Sequence, residues 1–190
     1  MQFATIVGAA LLLLPLVGCG HRHQPPHAAG AYEVAGPIRD YRLGPGDHVR
    51  VTVYRETQLS GRFVVDTAGN IGVPTLGQVK AAGQTVRQLE TKIESLLGRD
   101  LVQDPRVSVD IAQYRPFYIT GEVRRAGAYP YAAALTVQDA VALAGGYTYR
   151  ANERYVYVMR AYSDFEEEVP LVGRAWVYPG DNVRIAERRW

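Results

Sequence analysis

The sequence predicts an α+β fold built from two small consecutive modules, 41–114 and 115–188, each with mixed or antiparallel strands and one helix. Three observations predict it. Apolar residues alternate with period two in several short segments, as they do in half-buried strands. One segment in each half instead carries apolar residues at helical spacing. Finally, the hexapeptide PGDHVR at 45–50 recurs as PGDNVR at 179–184.

The first module contains several short strands and one helix. Thr85 is followed three positions later by Gln88, which is the spacing of a capping box, and Gly98 is expected to end the helix. Gly and Asn at the end of the loop 66–70 predict a β-hairpin between the segments that flank it. The predicted strands are 48–54, 63–65, 71–73, 78–81 and 106–111.

The second module repeats this organisation. Thr136 and Asp139 cap a short helix, which the glycine pair at 145–146 ends. Ala126 and Gly127 are predicted to form a turn. The predicted strands are 117–123, 129–131, 155–159, 165–171 and 182–186.

The repeated hexapeptide predicts a repeated turn. Pro followed by Gly fits the two central positions of a type II turn, and the Asp that follows can accept a local backbone N–H. A rival hypothesis makes the two Asp residues an acid–base pair, which would require them to converge in one cleft. Nothing in the sequence brings them together, so structural turns are predicted. The residues assigned to turns are Pro45, Gly46, Asp47, Gly127, Pro179, Gly180 and Asp181.

Composition argues against several classes of function. The net charge is +2, and the basic residues are spread along the chain, so no nucleic-acid partner is expected. The sequence has no GxSxG, HExxH or P-loop pattern, so we predict no enzyme activity, no metal site and no cofactor. An enzyme that uses the carboxylates of Asp47, Glu56 or Asp66 is the catalytic alternative.

The N-terminus indicates export and lipid attachment. An apolar run at 3–17 has the length of a secretory signal, and it is too short to span a bilayer comfortably. The four residues ending in Cys19, LVGC, resemble a bacterial lipobox, in which the Cys receives diacylglycerol. We therefore predict a lipoprotein signal peptide at 1–18 and a flexible tether at 19–40. Gly20, in place of Asp, favours the outer membrane by the sorting rule that this resemblance implies.

Four tyrosines could serve as contacts in the second module. Aromatic rings stack on sugars, but tyrosine is also common at subunit contacts and in strands. Contact with a glycan, contact with another subunit and simple packing all remain open. The residues are Tyr147, Tyr149, Tyr155 and Tyr157.

The order of these motifs resembles a known family. YRLGPGD at 41–47, the segment at 61–83 and the helix after Thr85 resemble the export domain of bacterial outer-membrane polysaccharide export proteins, the OPX or Wza-like family. FYITGEVRRAGAYPY, LTVQDAVALAGGYT and YPGDNVRIAE resemble the SLBB β-grasp domain that follows the export domain in that family. The resemblance covers nearly all of 41–188.

The resemblance implies a ring-shaped homo-oligomer on the periplasmic face of the outer membrane that passes a capsular polysaccharide or exopolysaccharide outward. It implies an inner-membrane polysaccharide co-polymerase as partner. Pore-forming members continue into an amphipathic helix after the last β-grasp strand, whereas this sequence ends at Trp190. We therefore expect a lipid-held protein that does not itself span the membrane, and a separate outer-membrane β-barrel porin is an additional candidate partner. The alternative is a monomeric periplasmic lipoprotein that binds a ligand through its β-grasp domain.

Overall fold

The computed structural model describes residues 41–171 and 173–188, and within these ranges it contains two helices and ten strands. The predicted α+β class is confirmed. The predicted signal peptide, the tether and Cys19 lie outside the described residues. The elements are β1 (His48–Val53), β2 (Gly61–Val64), β3 (Asn70–Val73), β4 (Gly77–Lys80), α1 (Val86–Asp100), β5 (Val107–Gln113), β6 (Phe117–Gly121), β7 (Gly127–Tyr129), α2 (Val137–Leu143), β8 (Tyr155–Met159), β9 (Glu166–Pro170) and β10 (Asn182–Ile185).

Two small sheets form the first module. One is antiparallel with the order β2-β1-β5, and the other is the hairpin β3-β4. The predicted hairpin across the loop 66–70 is therefore wrong, because β2 pairs with β1 and β3 pairs with β4. The residue that follows β2, Val65, forms its main-chain hydrogen bonds with the turn at 46–47 and not with β3. The Val65 N–H donates to the Asp47 carbonyl (2.8 Å), and the Val65 carbonyl accepts from the Gly46 N–H (2.9 Å).

Helix α1 supplies much of the first core. The predicted capping box is present: the Gln88 N–H donates to the Thr85 hydroxyl, and the Thr85 N–H donates to the Gln88 side-chain oxygen (2.9 Å). The helix does not end at Gly98, as was predicted, but continues to Asp100, with the Leu101 N–H closing on the Leu97 carbonyl (3.1 Å). Gly98 lacks the positive φ of a helix-ending glycine. A Cβ there would meet Pro105 at 3.6 Å, so Gly98 lies on a packed face.

The second module is a five-stranded sheet with the order β7-β6-β10-β8-β9. Strands β6 and β10 are parallel and the other pairs are antiparallel, so the sheet is mixed. Helix α2 contributes Val137, Ala140 and Val141 to a core that includes the buried residues of β6, β8 and β10. On β8 the burial alternates, with Val156 and Val158 facing the core.

Gly127 lies in a strand and not in the predicted turn. It begins β7 opposite Ile119, and its φ is not positive. The reason is that the preceding bend is tied to the end of α2. The Arg124 N–H donates to the Gly146 carbonyl (3.0 Å), and the Arg125 N–H donates to the Ala144 carbonyl (2.9 Å). The chain therefore turns before Gly127. The return strand, β7, starts and ends two residues earlier than the predicted strand at 129–131.

This placement makes Gly127 a site where alanine should be tolerated. A Cβ on Gly127 would meet no atom within 4 Å. Gly127→Ala also restricts the unfolded chain, so we expect the free energy of unfolding to rise by about 0.5 kcal/mol. Urea denaturation of the mature protein would measure this change. A loss of about 1 kcal/mol or more would show that the site does require glycine.

The cap of α2 makes stability depend on pH. Hydrogen bonds from the Thr136 hydroxyl (2.6 Å) and the Thr136 N–H (2.9 Å) lower the pKa of Asp139 from its ordinary value of 3.8. The stability that the ionised Asp139 side chain contributes is therefore fully present at pH values above its ordinary pKa of 3.8. It is lost as the pH falls through the lowered pKa of the folded protein. We expect Asp139→Asn to cost about 0.5–1 kcal/mol at pH 7 and less at pH 3, as measured by denaturation at both pH values.

Candidate functional site

The two copies of the hexapeptide form the same turn. The Asp47 N–H donates to the Gly44 carbonyl, and the Asp181 N–H donates to the Tyr178 carbonyl, each at 3.1 Å. The intervening glycines, Gly46 and Gly180, have φ of +89° and +86°, in the region that the third position of a type II turn requires. The repeat therefore encodes a repeated backbone shape.

Each Asp side chain also closes its own turn. A carboxylate oxygen of Asp47 accepts the Gly44 N–H at 2.8 Å, and one of Asp181 accepts the Tyr178 N–H at 2.8 Å. The two residues are 0% and 1% exposed. A buried carboxylate is costly unless it is hydrogen-bonded and paired with a cation. Both turns therefore need further partners.

Asp47 finds its partners at the boundary between the modules. The Arg115 N–H donates to one carboxylate oxygen at 2.8 Å, and the Arg115 guanidinium lies 3.5 Å from the other. The Tyr41 hydroxyl lies 2.7 and 2.8 Å from the two oxygens. Burial and the adjacent carboxylate raise the pKa of Tyr41 far above its usual range, so this hydroxyl remains a donor.

Asp181 has a separate set of partners within the second module. The Arg160 guanidinium donates to it at 2.7 Å. Burial raises the pKa of Asp181, although the Tyr178 N–H and Arg160 both act to lower it. Asp47 and Asp181 are thus paired with different cations, Arg115 and Arg160. This arrangement favours the structural interpretation of the repeat over an acid–base pair.

Arg115 joins the two turns. Its Nε donates to the Pro179 carbonyl at 3.0 Å, while its other donors reach Asp47 and the Tyr162 hydroxyl (3.1 Å). A Cβ added to Gly180 would lie 2.7 Å from Arg115 Nε, so the side chain crosses directly against that turn. The guanidinium also lies 5.1 Å from the centre of the Tyr162 ring. One arginine therefore connects the start of the first module to the end of the second.

Sequence reasoning did not identify Arg115. Its main-chain and side-chain partners, Asp47 and Pro179, are 68 and 64 residues away. The available signal was its position immediately after the predicted module boundary at 114.

A cavity of about 440 Å³ opens beside this junction. Arg42, Pro45 and Lys80 of the first module line it, together with Tyr162 from the loop between β8 and β9. Tyr162 is 77% exposed and has φ of +68°, which is unfavourable for an aromatic residue. The cavity thus lies where the two modules meet.

The four predicted contact tyrosines lie in different environments. Tyr147 is half-buried, pairs with Val123 in an isolated bridge and packs on the second core. Tyr149 is 87% exposed. Tyr155 and Tyr157 lie together on the outer face of β8, with ring centres 5.5 Å apart. Tyr147 thus takes part in packing and Tyr149 is largely exposed, while contact with a glycan or with another subunit stays a prediction for all four residues.

The outer face of the second sheet is rich in polar and aromatic groups. The strand register places Thr120, Arg184, Tyr157 and Glu168 in one row across the four strands β6, β10, β8 and β9. The Arg184 guanidinium lies 4.3 Å from the centre of the Tyr157 ring and is bonded to Glu166 (2.9 Å). This row forms an ordered surface suited to polar contacts.

Two further properties concern membranes and metals. In the ranges 41–171 and 173–188, neither helix has the length and apolar character needed to cross a bilayer. Within the same ranges, no three His, Cys, Asp or Glu side chains are grouped so that they could hold a metal ion.

Comparison with known proteins identifies both modules. Residues 35–112 match the family described as polysaccharide biosynthesis/export protein, and residues 116–172 match the SLBB domain. These matches meet at the segment that contains Arg115. The protein is therefore of the class in which an export module precedes an SLBB module.

Individual relatives agree with this class. The chain is 39% identical over 121 residues to the exopolysaccharide production protein ExoF of Rhizobium meliloti strain 1021, covering 56% of this chain and 28% of the relative. It is 35% identical over 92 residues to the polysialic acid transport protein KpsD of Escherichia coli, covering 47% and 16%. It is 26% identical over 212 residues to the EPS I polysaccharide export outer membrane protein EpsA of Ralstonia nicotianae, covering 91% and 55%.

The chain belongs to the OPX, or Wza-like, family of polysaccharide export proteins. It spans between 16% and 55% of the length of the relatives named above. The names of the family and of these relatives describe production, transport and export.

Proposed function

We propose that this protein is a subunit of a capsular polysaccharide or exopolysaccharide export channel. It acts as a ring homo-oligomer on the periplasmic face of the outer membrane. It conducts the polymer without making or breaking bonds. The observation that carries the proposal is the order of the two modules, an export module at 41–114 and an SLBB module at 115–188, joined through Arg115.

The proposed attachment to the membrane depends on Cys19. Cleavage after a signal peptide at 1–18 leaves lipidated Cys19 as the N-terminus, and the tether at 19–40 connects it to the folded modules. The proposed partners are an inner-membrane co-polymerase, the translocating polysaccharide and, for the outer-membrane step, a separate porin. The sequence of the signal supports this arrangement.

Deletion of the gene, with complementation by the wild-type gene, tests the function. We expect the deletion to remove the polymer from the cell surface, as measured by uronic-acid or anthrone assay of washed cells. Native mass spectrometry of the detergent-solubilised protein should show a single oligomer with a defined number of subunits, greater than one. If the protein is a monomer and deletion of its gene leaves the surface polymer unchanged, the proposal is contradicted and a ligand-binding lipoprotein is favoured.

The anchor is tested separately. Cys19→Ser should abolish incorporation of labelled palmitate and move the protein out of the membrane fraction. A matched Ser60→Ala variant, which alters a residue of the folded part, should retain the label. Labelling of the Cys19→Ser protein at the wild-type level would contradict lipidation at this site.

A further inference from the structure

The cavity beside the junction has the dimensions of a small-molecule site. Its volume of about 440 Å³ lies within the range of roughly 300–1,000 Å³ typical of ligand pockets. It is open to solvent and can hold one sugar ring with its substituents. Both modules contribute to its lining, so the site is complete only when they are joined.

The charged groups on its walls are cationic. Arg42 donates to the Gly83 carbonyl (2.8 Å), and Lys80 donates to the Ala68 carbonyl (2.7 Å). No acidic side chain lines the cavity, and neither cation is within ion-pair distance of a carboxylate of the described residues. A guanidinium has five donors and an ammonium three, so both retain free donors. An anion placed between them would be stabilised.

The remaining wall suits the apolar face of a sugar. Pro45 and Ala82 provide carbon surface, and Tyr162 provides an aromatic ring. The ring is held in position although it is exposed, because its hydroxyl is bonded to Arg115 and the Arg115 guanidinium lies against its face. Ligand sites combine such apolar surfaces with a few placed polar groups.

We propose that this cavity binds one acidic sugar unit, a hexuronate, of the translocated glycan. Its carboxylate is bound by Arg42 and Lys80, and its C–H face lies on Tyr162. The proposal rests on the proposed function for the origin of the glycan, but the binding site is defined by residues of this chain alone.

Binding is tested with the full chain in detergent and trigalacturonic acid as the probe, by isothermal titration or ligand-observed NMR. Arg42→Gln and Lys80→Gln should each weaken binding about tenfold or more, because each removes a charge-assisted hydrogen bond. Tyr162→Ala should weaken binding as well. The matched control is Arg87→Gln, which removes an exposed cation of α1 that does not line the cavity and should leave the affinity unchanged.

Two comparison ligands define the specificity. The methyl ester of trigalacturonic acid keeps the sugar but loses its charge, and we expect little binding. Inorganic phosphate tests for a general anion site. If phosphate binds as tightly as trigalacturonic acid, or if Arg87→Gln weakens binding as much as Lys80→Gln does, the proposed site is wrong. Failure of the wild-type protein to bind trigalacturonic acid would also overturn it.

Measurements in cells separate this inference from the proposed function. If deletion removes the surface polymer and the protein binds no acidic trisaccharide, the export function stands and the cavity proposal fails. If deletion leaves the polymer in place while Arg42 and Lys80 are required for binding, the cavity proposal stands and the export function fails.

Discussion

Replacing Asp47 with alanine is expected to lower the free energy of unfolding by about 3 kcal/mol or more. The carboxylate is fully buried, and it accepts from Tyr41, from the Gly44 N–H and from Arg115. Its removal leaves these donors without their acceptor and leaves the mostly buried Arg115 guanidinium without its carboxylate. Urea denaturation of the mature protein, followed by circular dichroism, would measure the loss.

Asp164→Ala is the matched control for Asp47→Ala, since Asp164 is exposed in the loop between β8 and β9. This change should alter the free energy of unfolding by no more than about 0.5 kcal/mol. If Asp47→Ala and Asp164→Ala unfold at the same urea concentration, the stability of the junction does not depend on the buried Asp47 carboxylate. Asp47→Asn, which keeps one acceptor oxygen, should give an intermediate value.

Gly121→Ala is expected to have an effect at least as large. Gly121 has φ of +80°, and a Cβ there would lie 2.1 Å from the Ile185 carbonyl oxygen. That oxygen also accepts the Glu122 N–H, so β10 cannot move away without breaking this bond. We expect a loss of about 3 kcal/mol or more, because backbone strain and a clash in the central parallel pair combine.

Gly77→Ala separates these two causes. Gly77 also has a positive φ, of +71°, but a Cβ there meets no atom within 4 Å. Gly77→Ala should therefore lower the free energy of unfolding only by the cost of placing alanine in a left-handed backbone conformation, about 1–2 kcal/mol. The soluble yield and the urea midpoint of both variants provide the comparison. If Gly121→Ala is no worse than Gly77→Ala, close approach of β10 does not matter.

Features that depend on near neighbours in the sequence were predictable. The caps of both helices were predicted, because Thr85 and Gln88, like Thr136 and Asp139, are three residues apart. The PGD turns were predicted for the same reason, since Pro, Gly and Asp each have a defined role at a turn position. Strand β8 was also predicted with its observed bounds, from strict alternation.

Pairing between distant segments was less predictable. The residues of the loop 66–70 favoured a hairpin, yet Val65 bonds to the turn at 46–47. Gly127 was assigned to a turn by composition, while the bend is fixed earlier by bonds to the end of α2. In both cases a contact far along the chain determines the local shape, and the local pattern contains no information about it.

The candidate site was predictable only in part. The sequence indicated that Asp47 and Asp181 belong to turns, but it did not indicate that Arg115 lies between those turns. It could not place Tyr162 beside Arg42 and Lys80 either, since these residues come from opposite modules. Sites formed by joining two modules require the pairing to be known first.

The contacts of Arg115 have a consequence for exchanging domains between relatives. A chimera that takes its second half from another member of the family must keep the turn that presents the main-chain carbonyl of residue 179 to Arg115, and a hydroxyl in the place of Tyr162, or Arg115 loses these two partners. A crossover placed after residue 115 keeps Arg115 together with Asp47, but it replaces the partners of Arg115 in the second module, Tyr162 and Pro179. Recombined proteins of this kind should therefore tolerate swaps best when the residue at position 115 and the closing turn come from the same parent.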